Sequence, residues 1–162
     1  IDIKPVTEEL NLIDSREVDL EISKENMPLD KHISSSNNQV GFDGSTYALG
    51  VISFNKEDYD QCIEYLKDLP LIEINERTSG NILIMLADSF EQIGRYKQAI
   101  KHLEKLSELD SKKYSDLALI KQGIIFRNIG MNIQAHHIFK ILVEKYPESE
   151  YALLAQEEIN NI

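Results

Sequence analysis

Cysteine is almost absent from this sequence, and so are long apolar runs. A single cysteine in 162 residues excludes an intrachain disulfide and a metal site built from cysteines. The longest apolar run, Ile82 to Ala87, is far shorter than the roughly 20 residues that a membrane-spanning helix needs. We therefore expect no direct insertion of this chain into a membrane.

Basic residues are also few. The 17 lysines and arginines stand against 28 aspartates and glutamates, which gives a formal net charge of −11. Binding to nucleic acid relies on basic side chains that neutralise phosphates, and anionic lipid repels an acidic surface. The composition therefore predicts neither as a partner. It favours a basic peptide or protein surface, through an attraction that salt weakens.

No recognisable catalytic, metal-binding or cofactor-binding pattern is present. The four histidines form neither a His-x-x-x-His nor a Glu-x-x-His pair, and the adjacent His136 and His137 would point about 100° apart on a helix. The segment from Gly41 to Gly44 lacks the lysine of a phosphate-binding loop. Cys62 falls on an apolar stripe, where a thiol is usually inert. We therefore expect a protein that is not an enzyme and holds neither metal nor cofactor.

Two regions of the chain differ in kind. Residues 1–44 are rich in acids and include the polar stretch 34–39, which predicts an acidic, largely irregular arm and linker. Residues 18–22 alternate apolar and acidic side chains, the period of a strand with one covered face. This alternation leaves open a second interpretation, an arm that docks on the rest of the chain or on a partner. Residues 45–162 carry apolar residues at helical spacing and predict an all-α domain.

The apolar stripes of the second region repeat about every 36–37 residues, as from Cys62 to Ala99 to Ala135. Small residues recur where two antiparallel helices would cross closely, at Gly50, Ala87, Gly123, Cys62, Ala99 and Ala135. Large residues, Phe90, Phe126 and Phe139, would fill the space between neighbouring hairpins. Gly94 and Gly130 stand where helices should end in a left-handed conformation. A single hairpin cannot bury both of its faces, so the pattern predicts stacked units and a terminal cap.

This pattern resembles the tetratricopeptide repeat family. The middle unit fits best, through Leu83, Leu86, Ala87, Phe90, Gly94, Tyr96, Ala99, Leu103 and Leu106. The third unit fits through Gly123, Phe126, Gly130, Ala135, Phe139 and Pro147. The first unit departs from the pattern, because Ser53 replaces the usual aromatic residue and Pro70 ends the second helix early. The resemblance implies a right-handed α-solenoid of three hairpins (about 45–79, 80–114 and 115–148) and a capping helix over 149–162, with Ser149 as its cap.

The resemblance also implies a binding site, because the first helix of each hairpin lines a concave groove in this family. Carried onto this sequence, the groove residues are Tyr47, Val51, Asn55, Ile84, Asp88, Glu91, Gln92, Ile120, Ile124, Arg127 and Asn128, with Met85 and Lys121 beside them. The apolar members predict an exposed patch for an apolar or amphipathic peptide, and Asp88 and Glu91 favour a basic residue on it. The alternative is ordinary helix surface, on which the next hairpin partly covers the isoleucines.

The function implied is a non-catalytic scaffold for protein–protein interaction. The junction from Phe139 to Ala155, with Tyr146-Pro147, Ser149 and Tyr151-Ala152, is similar to repeat junctions of bacterial cell-envelope members, such as the outer-membrane assembly lipoprotein and the Tol–Pal coordinator. This resemblance implies a periplasmic or outer-membrane lipoprotein assembly. Since the sequence starts at Ile1 without methionine, a lipid anchor upstream stays open. The alternative is a cytoplasmic adaptor or secretion chaperone of the same fold.

Overall fold

The computed structural model describes residues 41–72, 74–109 and 112–162. These residues form seven α-helices and no strand: α1 (Gly44–Asn55), α2 (Tyr59–Leu66), α3 (Glu76–Gln92), α4 (Tyr96–Glu108), α5 (Lys112–Asn128), α6 (Asn132–Lys145) and α7 (Ala152–Asn161). The prediction of an all-α, helical-repeat fold is confirmed. The predicted acidic arm lies outside the described residues up to position 40, and Gly44 already belongs to α1.

Each helix packs mainly against the helices before and after it along the chain, as stacked repeats require. The pairs α1–α2, α3–α4 and α5–α6 form hairpins, and α7 covers α6. The second helices of the hairpins bury the same stripe, which holds Cys62 and Leu66, Ala99 and Leu103, and Ala135 and Phe139. The period read from the sequence is therefore the period of the core.

Two hairpins contain a close helix crossing at a glycine. A Cβ atom added to Gly50 would lie 2.3 Å from Leu66 Cδ2, and one added to Gly123 would lie 2.2 Å from Phe139 Cε1. Such distances are below any normal contact, so these crossings require the absence of a side chain. The expectation that Phe139 fills the space between hairpins is corrected, because its ring lies in the crossing of its own hairpin.

The three turns inside the hairpins share one hydrogen-bond pattern. In each, an amide N–H donates to the carbonyl oxygen five residues earlier, and the residue before the donor has a positive φ, as in a Schellman motif. The bonds run from Asp58 to Ser53 (2.9 Å), Arg95 to Phe90 (2.8 Å) and Met131 to Phe126 (2.8 Å). Gly94 (φ 74°) and Gly130 (φ 78°) adopt the left-handed conformation that was predicted, and Glu57 (φ 61°) takes the same position in the first hairpin.

Glu57 is strained, because a residue with a Cβ atom in the left-handed region costs roughly 1–2 kcal/mol. Glu57→Gly should therefore raise the free energy of unfolding by about 0.5–1 kcal/mol, after allowing for the greater freedom of glycine in the unfolded chain. Urea unfolding followed by circular dichroism measures the change. The converse substitution Gly94→Glu should lower stability. A loss of stability in Glu57→Gly would show that the positive φ of Glu57 is not a source of strain.

The first helices of the second and third hairpins begin earlier than the predicted units, at Glu76 and Lys112. For α3 the cause is a cap that the periodicity does not contain. The Asn75 side chain accepts the backbone N–H of Thr78 at 2.9 Å, which satisfies one of the free donors of the first turn. The early end of α2 at Leu66 agrees with the expectation from Pro70.

The last helix begins later than predicted, at Ala152 instead of 149. Ser149 does not serve as its cap. Its hydroxyl group donates to Asp116 Oδ2 at 2.6 Å and accepts the Tyr151 N–H at 3.1 Å. Ser149 therefore joins the turn before α7 to α5, and this role explains why a serine there does not start the helix.

Candidate functional site

The groove residues lie on α1, α3 and α5, the first helices of the three hairpins. Three of them are buried: Ile84 is 3% exposed, Asp88 4% and Ile120 0%. The expectation that Ile84 and Ile120 form an exposed patch is therefore wrong, and Asp88 is also out of a partner's reach. The reason is that α3 packs against α2 and α4, and α5 packs against α4 and α6, which also buries Met85 and Lys121.

The other groove residues keep access to solvent. Tyr47, Val51, Glu91, Ile124 and Arg127 are half-buried, and Asn55, Gln92 and Asn128 are exposed. On the first hairpin, the Tyr47 ring lies 5.9 Å from the ring of Phe42. The binding role of these eight residues stays a prediction.

A buried ion pair joins the second and third hairpins. Lys121 Nζ on α5 donates to Asp88 Oδ1 on α3 at 2.8 Å, and both side chains are almost fully shielded from solvent. Asp88 had been expected to attract a basic residue of a partner, but the chain itself supplies the cation. Asp88 Oδ2 has no hydrogen-bond partner among the described residues, so Lys121 carries most of the compensation for this buried carboxylate.

Glu91 lies next to this pair, one helical turn after Asp88 on α3. Burial raises the pKa of the Glu91 carboxyl group, the nearby Lys121 ammonium lowers it, and the Asp88 carboxylate raises it. Glu91 is half-buried, so it is the member of the cluster that solvent can still reach. A cation placed beside Glu91 would favour its charged form, which makes it the natural acceptor for a basic group of a partner.

At the end of α5, Arg127 is tied to the last helix. Its Nη1 donates to Glu158 Oε1 on α7, and its Nη2 donates to Asn128 Oδ1 at 3.1 Å. Arg127 is one of the predicted groove residues. Its guanidinium group already has two acceptors within the chain, so it holds the cap helix against the third hairpin.

Helix α1 exposes apolar residues that the sequence reading did not include in the site. Leu49 and Ile52 are exposed on α1 beside the groove residues Tyr47 and Val51. The sequence does indicate this surface, because residues 47–54 are apolar almost throughout. A helix that is apolar on all sides is usually buried on all sides.

His102 on α4 has an unusual environment. Its ring stacks on that of Phe90, with centroids 5.3 Å apart and planes 7° apart, and Nδ1 has no hydrogen-bond partner in the described part of the chain. Burial, and then the ammonium groups of Lys105 and Lys101, lower the pKa of His102 from its ordinary 6.5 to about 4. The neutral form is therefore favoured in the folded state.

Stability should depend on pH through His102. Because its pKa is lower in the folded than in the unfolded chain, the unfolded state takes up more protons between pH 4 and 6.5. The His102 contribution is full above pH 6.5 and is lost as the pH falls towards 4. We expect a loss of about 1–2 kcal/mol, allowing for solvent screening of the half-buried ring. The difference in unfolding free energy between wild type and His102→Leu, measured across this range, should change with pH, and a constant difference would contradict this.

A second surface, which we name the α4–α5 cleft, was not predicted. It is an open cleft of about 500 Å³ lined by Tyr96, Lys97, Ile100, Lys101, Glu104, Phe126, Ile129 and Met131. Part of its signal is visible in the sequence, since Lys97, Lys101 and Lys105 are spaced four apart and share a helix face. The sequence alone does not place that face beside the end of α5.

The described residues contain neither a metal-binding cluster nor a membrane-spanning helix. Within residues 41–72, 74–109 and 112–162, no three His, Cys, Asp or Glu side chains are grouped so that they could hold a metal ion. No helix in these ranges is long and apolar enough to cross a bilayer. Cys62 is fully buried, and burial raises the pKa of its thiol, which disfavours the reactive thiolate.

Comparison with known families finds a match for part of the sequence. The tetratricopeptide repeat family matches residues 80–113, which cover most of α3 and all of α4. No curated protein matches the sequence. All-helical folds of this kind are typically non-catalytic modules that bind proteins or peptides. The matched segment is the unit whose residues fit the family pattern best. Residues 80–113 therefore form a tetratricopeptide repeat.

Proposed function

We propose that this protein is a scaffold that binds a segment of another protein on the accessible groove residues of α1, α3 and α5. The observation that carries the proposal is the repetition around the matched unit. The hairpins before and after residues 80–113 have the same turn, with the same hydrogen bond between residues five apart. Repeats of this kind present side chains from successive first helices to a partner.

The chemistry of the accessible groove residues describes the partner. Tyr47, Val51 and Ile124 offer apolar contact, and half-buried Glu91 offers a carboxylate whose pKa is raised by burial. Gln92 and Asn128 are exposed and can form hydrogen bonds. A peptide that carries an apolar side chain followed by a lysine or arginine matches this set.

Affinity purification from native cells, followed by mass spectrometry, would identify the partner. Ile124→Glu should then reduce its recovery at least tenfold, because a charge would replace an apolar contact. The matched control is Ile133→Glu on α6, an exposed isoleucine outside the groove residues. Circular dichroism checks that both variants fold.

A second variant keeps the test independent of stability. Gln92→Lys changes one exposed residue and places positive charge next to Glu91 in the sequence. It should weaken a partner that carries a basic residue. If partner recovery is unchanged in both this variant and Ile124→Glu, the groove residues are not the binding site.

The setting that we propose is a bacterial cell-envelope assembly, in the periplasm or at the outer membrane. Its support is the sequence of the junction from Phe139 to Ala155. The Ser149 hydroxyl group of that junction donates to Asp116, so this serine has a structural role that does not depend on the compartment. A cytoplasmic adaptor or secretion chaperone is therefore the second candidate. Fractionation of native cells with an antibody distinguishes them. Recovery in the envelope fraction supports the proposal, and recovery in the cytoplasmic fraction supports the alternative.

A further inference from the structure

The α4–α5 cleft has an apolar wall that stays open to solvent. Tyr96 and Met131 are 37% and 39% exposed, and Ile100, Phe126 and Ile129 are half-buried around them. The volume of about 500 Å³ lies within the roughly 300–1,000 Å³ of typical ligand-binding clefts. The wall is therefore large enough to take more than one apolar side chain.

The rim of this cleft is basic, although the chain as a whole is acidic. Lys97 and Lys101 line the cleft, and Lys105 follows one turn later on the same helix face. Glu104 is the acidic residue among the lining side chains. Lys97 and Lys101 have no ion-pair partner among the described residues. Their charges are therefore free to meet those of a ligand.

A second observation shows the field of these lysines. The ammonium groups of Lys105 and Lys101, after burial itself, lower the pKa of His102 on the same helix. On α4, Lys97, Lys101 and Lys105 outnumber Glu104 and Glu108, so this helix carries a net positive charge in a molecule with a net charge of −11. A ligand with carboxylate groups would be attracted to this helix, whereas the acidic remainder of the chain would repel it.

We propose that the α4–α5 cleft binds an acidic, amphipathic segment of a partner protein. Apolar side chains of that segment enter between Tyr96, Ile100 and Met131, and its carboxylates reach Lys97 and Lys101. This segment is acidic, whereas the ligand expected at the groove residues is basic. The inference goes beyond the proposed function, because none of the lining residues is a groove residue and the two surfaces can be tested separately.

The first test uses two synthetic helical peptides of matched length with leucines along one face. One carries glutamates on the other face, and its counterpart carries lysines. Fluorescence anisotropy with the full chain should show at least tenfold tighter binding of the glutamate peptide at low salt, and the difference should shrink as salt is added. Equal binding of the two peptides, or preference for the lysine peptide, would overturn the proposal.

Protein variants locate the site. Lys97→Glu with Lys101→Glu should weaken the glutamate peptide at least tenfold. The control Lys56→Glu with Lys145→Glu makes the same charge change at exposed lysines outside the cleft and should stay within twofold of wild type. An equal loss in both double variants would mean that net charge alone governs binding, which rejects the cleft.

The apolar wall is tested in the same assay. Met131→Glu should weaken the glutamate peptide at least tenfold, whereas Leu153→Glu, an exposed leucine on α7, should not. Ile124→Glu, which tests the groove residues, should leave this peptide unaffected. If Ile124→Glu abolishes binding and Met131→Glu does not, the peptide occupies the groove, so failure of one proposal is distinguishable from failure of the other.

Discussion

Lys121→Met is expected to lower the free energy of unfolding by about 3–5 kcal/mol, because it leaves the Asp88 carboxylate buried without its cation. The two side chains are 2.8 Å apart and almost fully shielded from solvent, and the methionine cannot replace the ammonium group. A domain of this size has only about 5–15 kcal/mol of stability in total. Urea unfolding of the full chain near pH 7 measures the loss.

Two further variants separate charge burial from general damage. Lys140→Met removes the exposed pair between Lys140 and Glu144 and should cost less than about 0.5 kcal/mol. Asp88→Leu combined with Lys121→Met removes both buried charges and should recover most of the loss, since apolar replacement of a buried pair is often neutral. Equal losses for Lys121→Met and Lys140→Met would show that the buried pair is not the cause.

Gly123→Ala is expected to destabilise the protein by about 1–3 kcal/mol, although alanine is the better helix former. The new Cβ atom would lie 2.2 Å from Phe139 Cε1, and the Phe139 ring is fully buried. Neither the ring nor the backbone of α5 can move without disturbing the hairpin crossing. Thermal and urea unfolding provide the measurement.

The repeats themselves supply the compensating change. At the corresponding positions the second hairpin has Ala87 and Leu103, both buried. Adding Phe139→Leu to Gly123→Ala should therefore recover part of the loss, whereas Phe139→Leu alone should destabilise. The control is Gly44→Ala, where no described atom lies within 4 Å of the new Cβ and stability should be unchanged or slightly higher. Losses that simply add in the double variant would argue against a tight crossing.

The repeat was predictable because apolar stripes and small residues recur at a fixed spacing along the sequence. Gly50 and Gly123 mark close crossings, and Gly94 and Gly130 mark left-handed helix ends, each for a local steric reason. The matching turn at Glu57 was missed because nothing in a glutamate indicates a positive φ.

The groove was only partly predictable, because burial depends on which helices pack against each groove position. Ile84 and Ile120 fall at groove positions by spacing, yet neighbouring helices cover them. The Asp88–Lys121 ion pair was not predicted for a related reason. Its members are 33 residues apart, so they do not occupy equivalent positions in a repeat of about 36–37 residues. Counting along the sequence aligns equivalent residues, whereas contacts between hairpins join non-equivalent ones.

Only one part of the α4–α5 cleft could be predicted from the sequence. The spacing of Lys97, Lys101 and Lys105 shows a basic helix face, but the apolar wall needs Phe126, Ile129 and Met131 from the next hairpin. Only the packing of α5 against α4 brings the two together. The start of α3 was not predicted for a different reason. The Asn75 cap acts through a single hydrogen bond, which the spacing of apolar residues does not reveal.

The ion pairs that link α3 to α5 and α5 to α7 have a consequence for how this stack would come apart. They clamp the second hairpin, the third hairpin and the cap to one another across intervening helices. The first hairpin, with its short α2, the strained Glu57 turn and the uncovered Leu49 and Ile52, is the weakest end. Fraying should therefore start at α1 and stop at α3, which leaves α3 to α7 as the last part to lose amide-exchange protection.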